Sequence, residues 1–266
     1  MLRGTRPTAQ PTPSPEVNAV LQALLTSVQA ALGDYFVGMV LYGSLAGGDF
    51  DLQRSDIDFV VVTASELSNG VVAALEALHA RIADSGLKWA AKLEGAYVPL
   101  SILRRHDPSG PPCPCINEGR FYLAPLGSDW VIQRYTLREQ GVVVAGPDLC
   151  GLIDPVQPDD LRQAVLGLLR EWWAPMLQNP DPRLQGGEYQ AYAILTMCRA
   201  LYTLQYGTVV SKTSGARWVQ EALSGRWATV IEQALAWHDG GAVIGMRETL
   251  DFIRYALERG GVNDDD

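Results

Sequence analysis

Leu41-Tyr42-Gly43-Ser44-Leu45-Ala46-Gly47-Gly48-Asp49-Phe50-Asp51-Leu52-Gln53-Arg54-Ser55-Asp56-Ile57-Asp58 is the stretch on which the reading of the fold turns. Upstream, the apolar, β-branched run from Tyr35 to Tyr42 predicts a buried strand that ends at Gly43-Ser44. Eleven residues after Ser44, Asp56-Ile57-Asp58 opens a second apolar run, and a strand is predicted over 56–63. Residues two apart on a strand share a face, so Asp56 and Asp58 are expected to project two carboxylates side by side. Such a pair repels itself, and burying it unpaired is costly. A divalent cation relieves that cost. Hard oxygen donors suit Mg²⁺, which commonly takes one or two carboxylates together with substrate phosphates. Gly43 lets a phosphate approach the backbone, Ser44 offers a hydroxyl, and Ser55 is placed with them on the nucleotide side. A helix starting at Gly-Ser adds unpaired N–H groups and the positive end of its dipole. Asp-x-Asp alone or Gly-Ser alone means little. Their order between two apolar strands is what points to a metal–nucleotide site.

Outward from that stretch, apolar residues at helical spacing predict a helix over 16–32, closed by Gly33. Further elements are predicted as a helix over 71–83, a strand over 90–100 stopped by Pro99, a helix over 130–140 and a strand over 142–145. Residues 104–120 are rich in Pro, Gly and Arg and read as a loop. The Pro-rich segment 1–15 is expected to be disordered. After Gly146-Pro147 the texture changes. A linker around 154–160, with Asp159 as a helix cap, leads into helices over 160–177, 188–206, 215–223, 227–238 and 242–258. The expected fold class is therefore α/β followed by all-α. A mixed β-sheet flanked by helices spans 16–154, and a helical bundle spans 155–266.

Net charge is −9, from 21 basic and 30 acidic residues, shared almost evenly by the two halves. Phosphate neutralisation needs a basic face, so nucleic acid is not an expected partner. No run of 18 apolar residues occurs, and residues 1–15 lack an apolar signal core. A cytoplasmic, monomeric protein without a membrane partner is expected. Cys113-Pro114-Cys115 has no further His or Cys at a zinc-like spacing, so it reads as two reduced thiols in a loop. Glu94 stands in an otherwise apolar strand and needs a partner. It either joins Asp56 and Asp58 or pairs with Lys92 or Lys88.

The Gly43-Ser44…Asp56-Ile57-Asp58 pattern resembles the signature of the polymerase-β-like nucleotidyltransferase superfamily. There, Gly-Ser binds the triphosphate and two Asp hold Mg²⁺. Residues 35–258 are similar to a narrower group, the streptomycin–spectinomycin adenylyltransferases with a helical C-terminal domain. Lys92-Leu93-Glu94, Arg138-Glu139, Val144-Ala145-Gly146-Pro147, Asp154-Pro155-Val156, Leu195-Thr196-Met197-Cys198-Arg199 and Gly207 to Lys212 carry that likeness by their order. The resemblance implies transfer of AMP from MgATP to a hydroxyl of a small molecule of aminoglycoside type. It implies that Glu94 is a third metal carboxylate and the general base, that Lys212 reaches the ATP phosphates, and that Trp130 lines the acceptor pocket. It also implies an acidic contact to a cationic drug at the start of the second C-terminal helix. Tyr189 occupies that place here, with Glu188 one residue away. Two alternatives are an acceptor that is not an antibiotic, and a nucleotide-binding regulatory module that has lost transfer. The retention of Asp56, Asp58 and Glu94 together favours an enzyme.

Overall fold

A computed structural model describes residues 11–48, 50–52, 55–223, 225–237, 241 and 244–262. The chain divides into two compact units, Met1–Pro155 and Val156–Asp266.

In the first unit, helix α1 (Pro15–Leu32) buries Val17, Val20, Leu21, Leu24, Val28 and Leu32 along one stripe. Ser14 caps it by accepting from the Val17 N–H. The expectation of disorder over 1–15 fails where it can be examined. The Thr12 hydroxyl donates to Asn18 Oδ1 at 2.9 Å, and Asn18 Nδ2 donates back to the Thr12 carbonyl at 2.7 Å. Residues 1–10 lie outside the described residues.

The sheet follows from β1 (Phe36–Leu41), β2 (Ile57–Thr63), β3 (Leu93–Pro99), β4 (Cys113–Asn117), β5 (Arg120–Ala124) and β6 (Val142–Ala145). The helices between them are α2 (Gly43–Gly47), α3 (Asn69–Ala83), α4 (Leu100–Arg104) and α5 (Ser128–Gln140). Strand order is β5-β4-β3-β2-β1-β6. Only β2 and β3 run parallel, joined by the α3 crossover that a parallel pair requires. All other neighbours are antiparallel, so the sheet is mixed. Alternation sorts the side chains. Met39, Leu41, Ile57, Phe59, Val61, Leu93 and Tyr97 form one core with α1 and α3. Val40, Tyr42, Val60, Val62, Ala96, Val98 and Cys115 form the other with Ile102, Trp130 and Leu137.

Residues 104–120 are not simply a loop. They contain β4, and β5 follows across the two-residue turn Glu118-Gly119. Both turn residues have positive φ, 49° and 73°. That is the twist a tight hairpin favours, at a cost of about 1 kcal/mol for a residue with a Cβ. Pro114 argued against a strand because it cannot donate to a ladder. It is tolerated because the pairing of β4 with β3 stops at Cys115. Cys113, Cys115, Cys150 and Cys198 are free thiols. Burial pushes Cys113 up to about 11 and Cys115 to about 12, so both remain protonated.

The second unit is helical: α6 (Pro158–Leu168), α7 (Pro175–Gln178), α8 (Gly187–Tyr206), α9 (Lys212–Ala222), α10 (Ala228–Ala236) and α11 (Met246–Arg259). Helix α8 lies at its centre and packs on α6, α9, α10 and α11. Buried Gln190 on α8 clamps two loops. It donates to the Leu184 carbonyl at 2.7 Å and accepts from the N–H groups of Ile244 and Gly245. The single helix expected over 160–177 is broken, since Leu169–Trp173 forms one π turn before Pro175. Proline removes a donor and crowds the preceding turn. The cap of α6 is Gln157 with Asp160 in a capping box, whereas Asp159 pairs with Arg162 at 2.7 Å. Gly207 ends α8 at φ 67°, and a Cβ there would meet Pro158 at 2.5 Å. No helix among the described residues is long and apolar enough to cross a membrane.

Candidate active site

The site is built where β1, β2 and β3 meet. Leu41 pairs with Phe59, and the Tyr42 N–H donates to the Asp58 carbonyl at 3.1 Å. Asp58 pairs with Glu94 in the parallel register. Tyr42, Asp58 and Glu94 therefore form a row across three adjacent chain segments. All three alternate onto the face that carries Val40, Val60 and Ala96. Two carboxylates thus stand side by side at the rim of an apolar core.

Gly43 fixes the next contact. Its φ is 66°, and a Cβ added to it would lie 1.9 Å from Asp58 Oδ2. Only a residue without a side chain lets the backbone of the Gly-Ser turn rest against that carboxylate. From Gly43 the chain enters the short helix α2, whose N-cap Tyr42 supplies no side-chain cap. Half-buried Ser44 makes no side-chain hydrogen bond to another described residue. Ser55 is engaged in the loop, where its hydroxyl accepts from the Asp51 N–H at 3.0 Å.

Asp56 precedes β2 and is held differently. Lys92 Nζ lies 3.3 Å from its Oδ1, with both side chains 41% exposed. Lys88, the other candidate partner of Glu94, is bound to Glu16 at 2.7 Å. Among the described residues no three carboxylates, histidines or cysteines are gathered closely enough to hold a metal. The expected trio Asp56, Asp58 and Glu94 is thus brought together as an adjacent pair plus a carboxylate neutralised by lysine. The donor set still suits Mg²⁺. Asp58 and Glu94 are hard oxygen donors in register, and the bare Cα of Gly43 leaves the approach beside Asp58 open.

Two neighbours went unread in the sequence. Tyr42 is buried. Burial first, then the charges of Asp58, Glu94 and Asp129, push its hydroxyl well above the ordinary tyrosine range. It therefore stays a neutral donor beneath the carboxylates. Asp129, in the first turn of α5, acts on Tyr42, Cys115 and Tyr122, as Glu94 does. Its position as an acidic residue opening a helix was the only sequence signal.

Trp130 requires correction. It is fully buried between the sheet and α5, and its indole N–H donates to the Ile102 carbonyl at 3.4 Å. A side chain that fills the core cannot line an acceptor pocket.

Lys212 and Glu188 belong to the second unit. Lys212 is the first residue of α9, with its Nζ 5.0 Å from the Tyr192 ring centroid. A cation at a helix N-terminus opposes the dipole, at a cost of roughly 0.3–1 kcal/mol. Glu188 is exposed in the first turn of α8. Tyr189 stacks on Tyr192 at 5.4 Å and carries the Arg183 guanidinium 4.4 Å over its ring. The Arg183 guanidinium is itself paired with Asp181 at 2.7 Å, so the surface beside Glu188 is aromatic with a neutralised ion pair.

Comparison with known proteins fits this geometry. Residues 23–106 match the model of a nucleotidyltransferase domain, and residues 151–258 match that of the aminoglycoside adenylyltransferase C-terminal domain. The chain belongs to the polymerase-β-like nucleotidyltransferase superfamily. Within it, the chain resembles the aminoglycoside adenylyltransferases with a helical C-terminal domain. It is 27% identical to the aminoglycoside (3'') (9) adenylyltransferases of Shigella flexneri and Escherichia coli over 240 residues, 82% of this chain and 84% of theirs. The enzyme of that name from Klebsiella pneumoniae is 31% identical over 119 residues, 45% of this chain and 42% of its own. The fold is shared with the spectinomycin adenyltransferase AAD(9) of Enterococcus faecialis, solved with ATP and spectinomycin. The TM-score is 0.71 at 17% identity, over 90% of this chain and 98% of that one. As a member of this superfamily the protein is a nucleotidyltransferase enzyme, and the row Tyr42, Asp58, Glu94 lies within the nucleotidyltransferase match.

Proposed function

We propose that the protein transfers AMP from MgATP to a hydroxyl of an aminoglycoside-type small molecule. The observation that carries the proposal is the register of Asp58 with Glu94, backed by Gly43, in a chain that continues into an aminoglycoside adenylyltransferase C-terminal domain. Glu94 accepts the proton of the acceptor hydroxyl. The freed oxygen attacks the α-phosphorus of ATP in line, forming the new P–O bond as the bond to pyrophosphate breaks. Asp58 and Glu94, with Asp56 once Lys92 yields it, would hold Mg²⁺. When bound, the ion neutralises phosphate oxygens and aligns attack and departure. Ser44 and the Gly43 backbone meet the triphosphate. Lys212 supplies positive charge to the phosphates. Ser55 shapes the loop that precedes Asp56.

Recognition of the acceptor is the second half of the proposal. Cationic drugs need carboxylates to pair with their ammonium or guanidinium groups. Glu188 provides one. Neutral Tyr189 stands where a second carboxylate is expected, and the nearby Asp181 is already paired with Arg183, so the surroundings are less anionic than such a drug demands. Streptomycin is therefore expected to be adenylylated measurably but modestly. The test is drug-dependent pyrophosphate release with MgATP, using streptomycin, spectinomycin and a panel of hydroxylated small molecules. Release above the no-acceptor rate with either drug supports the proposal. Release only with other acceptors overturns the antibiotic part, and release with none overturns transfer itself.

A further inference from the structure

On the other side of Glu94 from Asp58 lies β4. Gly95 pairs with Ile116 and Ala96 with Cys115, so one further step of this antiparallel register sets Asn117 beside Glu94. Cys115 alternates onto the face of Ala96, and Ile116 onto the opposite core. Asn117 therefore shares Glu94's face. It is half-buried, and its side chain makes no hydrogen bond to another described residue. Its amide is absent from the buried polar groups that lack a partner, so it stays open to solvent and can donate to and accept from a bound molecule. Tyr122 pairs with Cys115 on β5 and so also stands on this face, yet it is 42% exposed. The Glu118-Gly119 turn fixes the hairpin register that puts the two residues there.

We propose that Asn117 and Tyr122 determine acceptor specificity, holding the acceptor ring next to the hydroxyl that Glu94 deprotonates. The inference rests on the adenylyl-transfer reading of the site. An amide that can both donate and accept suits a hydroxyl or amine adjacent to the reacting one. An aromatic ring offers a flat apolar face to the C–H surface of a polyhydroxylated ring, while its polar tip stays wet. Both groups lie on the side of Glu94 away from Asp58 and Gly43, so acceptor and nucleotide approach the carboxylate from opposite directions. Burial first, and the charge of Glu94 among the lesser causes, raise the Tyr122 hydroxyl, which is consistent with this closeness.

The test is steady-state pyrophosphate release by the full chain, with streptomycin and spectinomycin as acceptors, for Asn117→Ala, Tyr122→Ala and Tyr122→Phe. Loss of one neutral hydrogen bond or one stacking surface should raise the acceptor KM by roughly 3–10-fold. The KM for ATP should stay within about twofold, because neither side chain touches the nucleotide. Tyr122→Phe keeps the ring and should recover most of the loss seen in Tyr122→Ala. Acceptor KM unchanged in both alanine variants, with the parent active, overturns this inference alone. So does an equal rise in the KM for ATP, which signals a structural role. A parent that releases no pyrophosphate with any acceptor overturns the adenylyl-transfer reading, and this inference with it.

Discussion

Replacing Gly43 by alanine tests the contact on which the nucleotide site depends. The added Cβ would stand 1.9 Å from Asp58 Oδ2 and 2.7 Å from its Cγ. To restore ordinary contact the carboxylate must retreat by about 1.5 Å. The retreat must run across the sheet, because Asp58 is fixed by pairing on both sides. A φ of 66° adds about 1–2 kcal/mol of backbone cost for any residue with a Cβ. That should lower the melting temperature by roughly 2–8 °C. A misplacement of about 1 Å at a reacting centre commonly costs on the order of 10²-fold in rate. Gly43→Ala is therefore expected to melt a few degrees lower and to lose about 10²-fold in kcat/KM for ATP. The assays are scanning calorimetry and continuous pyrophosphate detection at saturating acceptor. Activity within about threefold of the parent, under 1 kcal/mol of effect, would refute the claim that the Gly43 backbone and the Asp58 carboxylate form one site.

Other outcomes follow from the same geometry. Glu94→Gln should keep MgATP binding by titration calorimetry but lose ~10²–10⁴-fold in turnover, the usual contribution of a general base. Lys212→Ala should slow transfer while the melting temperature stays the same or rises slightly, since the lysine opposes its helix dipole and contributes little to packing; a lower melting temperature would instead mark it as structural. Trp130→Ala should destabilise the chain by about 3–5 kcal/mol in urea, because it leaves a large cavity between α5 and the sheet. His79 is buried against Tyr97, its Nε2 2.8 Å from the Tyr97 hydroxyl, and burial lowers its pKa to about 4. A histidine held neutral in the folded state contributes stability above its unfolded pKa and loses it as pH falls. Stability should thus decline between about pH 6.5 and pH 4, by on the order of 3 kcal/mol. In His79→Gln this decline with pH should largely disappear in denaturation curves taken between about pH 4 and pH 7, and an unchanged decline would rule His79 out as its cause.

What could be read from sequence was what is local. Asp58 and the strand it opens were legible because motif and alternation lie within a few residues of each other. The stop of α1 at Gly33 and the course of β6 were legible for the same reason. Glu94 was found as a charge in an apolar strand, but its pairing with Asp58 is a property of register between distant segments. Tyr42 and Asn117 escaped for that reason: each is an ordinary strand residue until the register sets it beside a carboxylate. The β4–β5 hairpin was hidden by Pro114, which looks like a breaker until one sees that the ladder on β3 ends before reaching it. Trp130 was assigned to the pocket on the resemblance alone, and a residue of that size is more readily spent on core. The split of 160–177 follows from Pro175, which the helical spacing on either side of it masks.

The most direct test is the mass spectrum of the acceptor after incubation with the protein and MgATP. The account predicts that streptomycin or spectinomycin gains one AMP with the parent protein. The adduct should be absent, or reduced by at least about 10²-fold, with Glu94→Gln. A drug that gains no AMP, or an adduct that forms equally well without the Glu94 carboxylate, would contradict it.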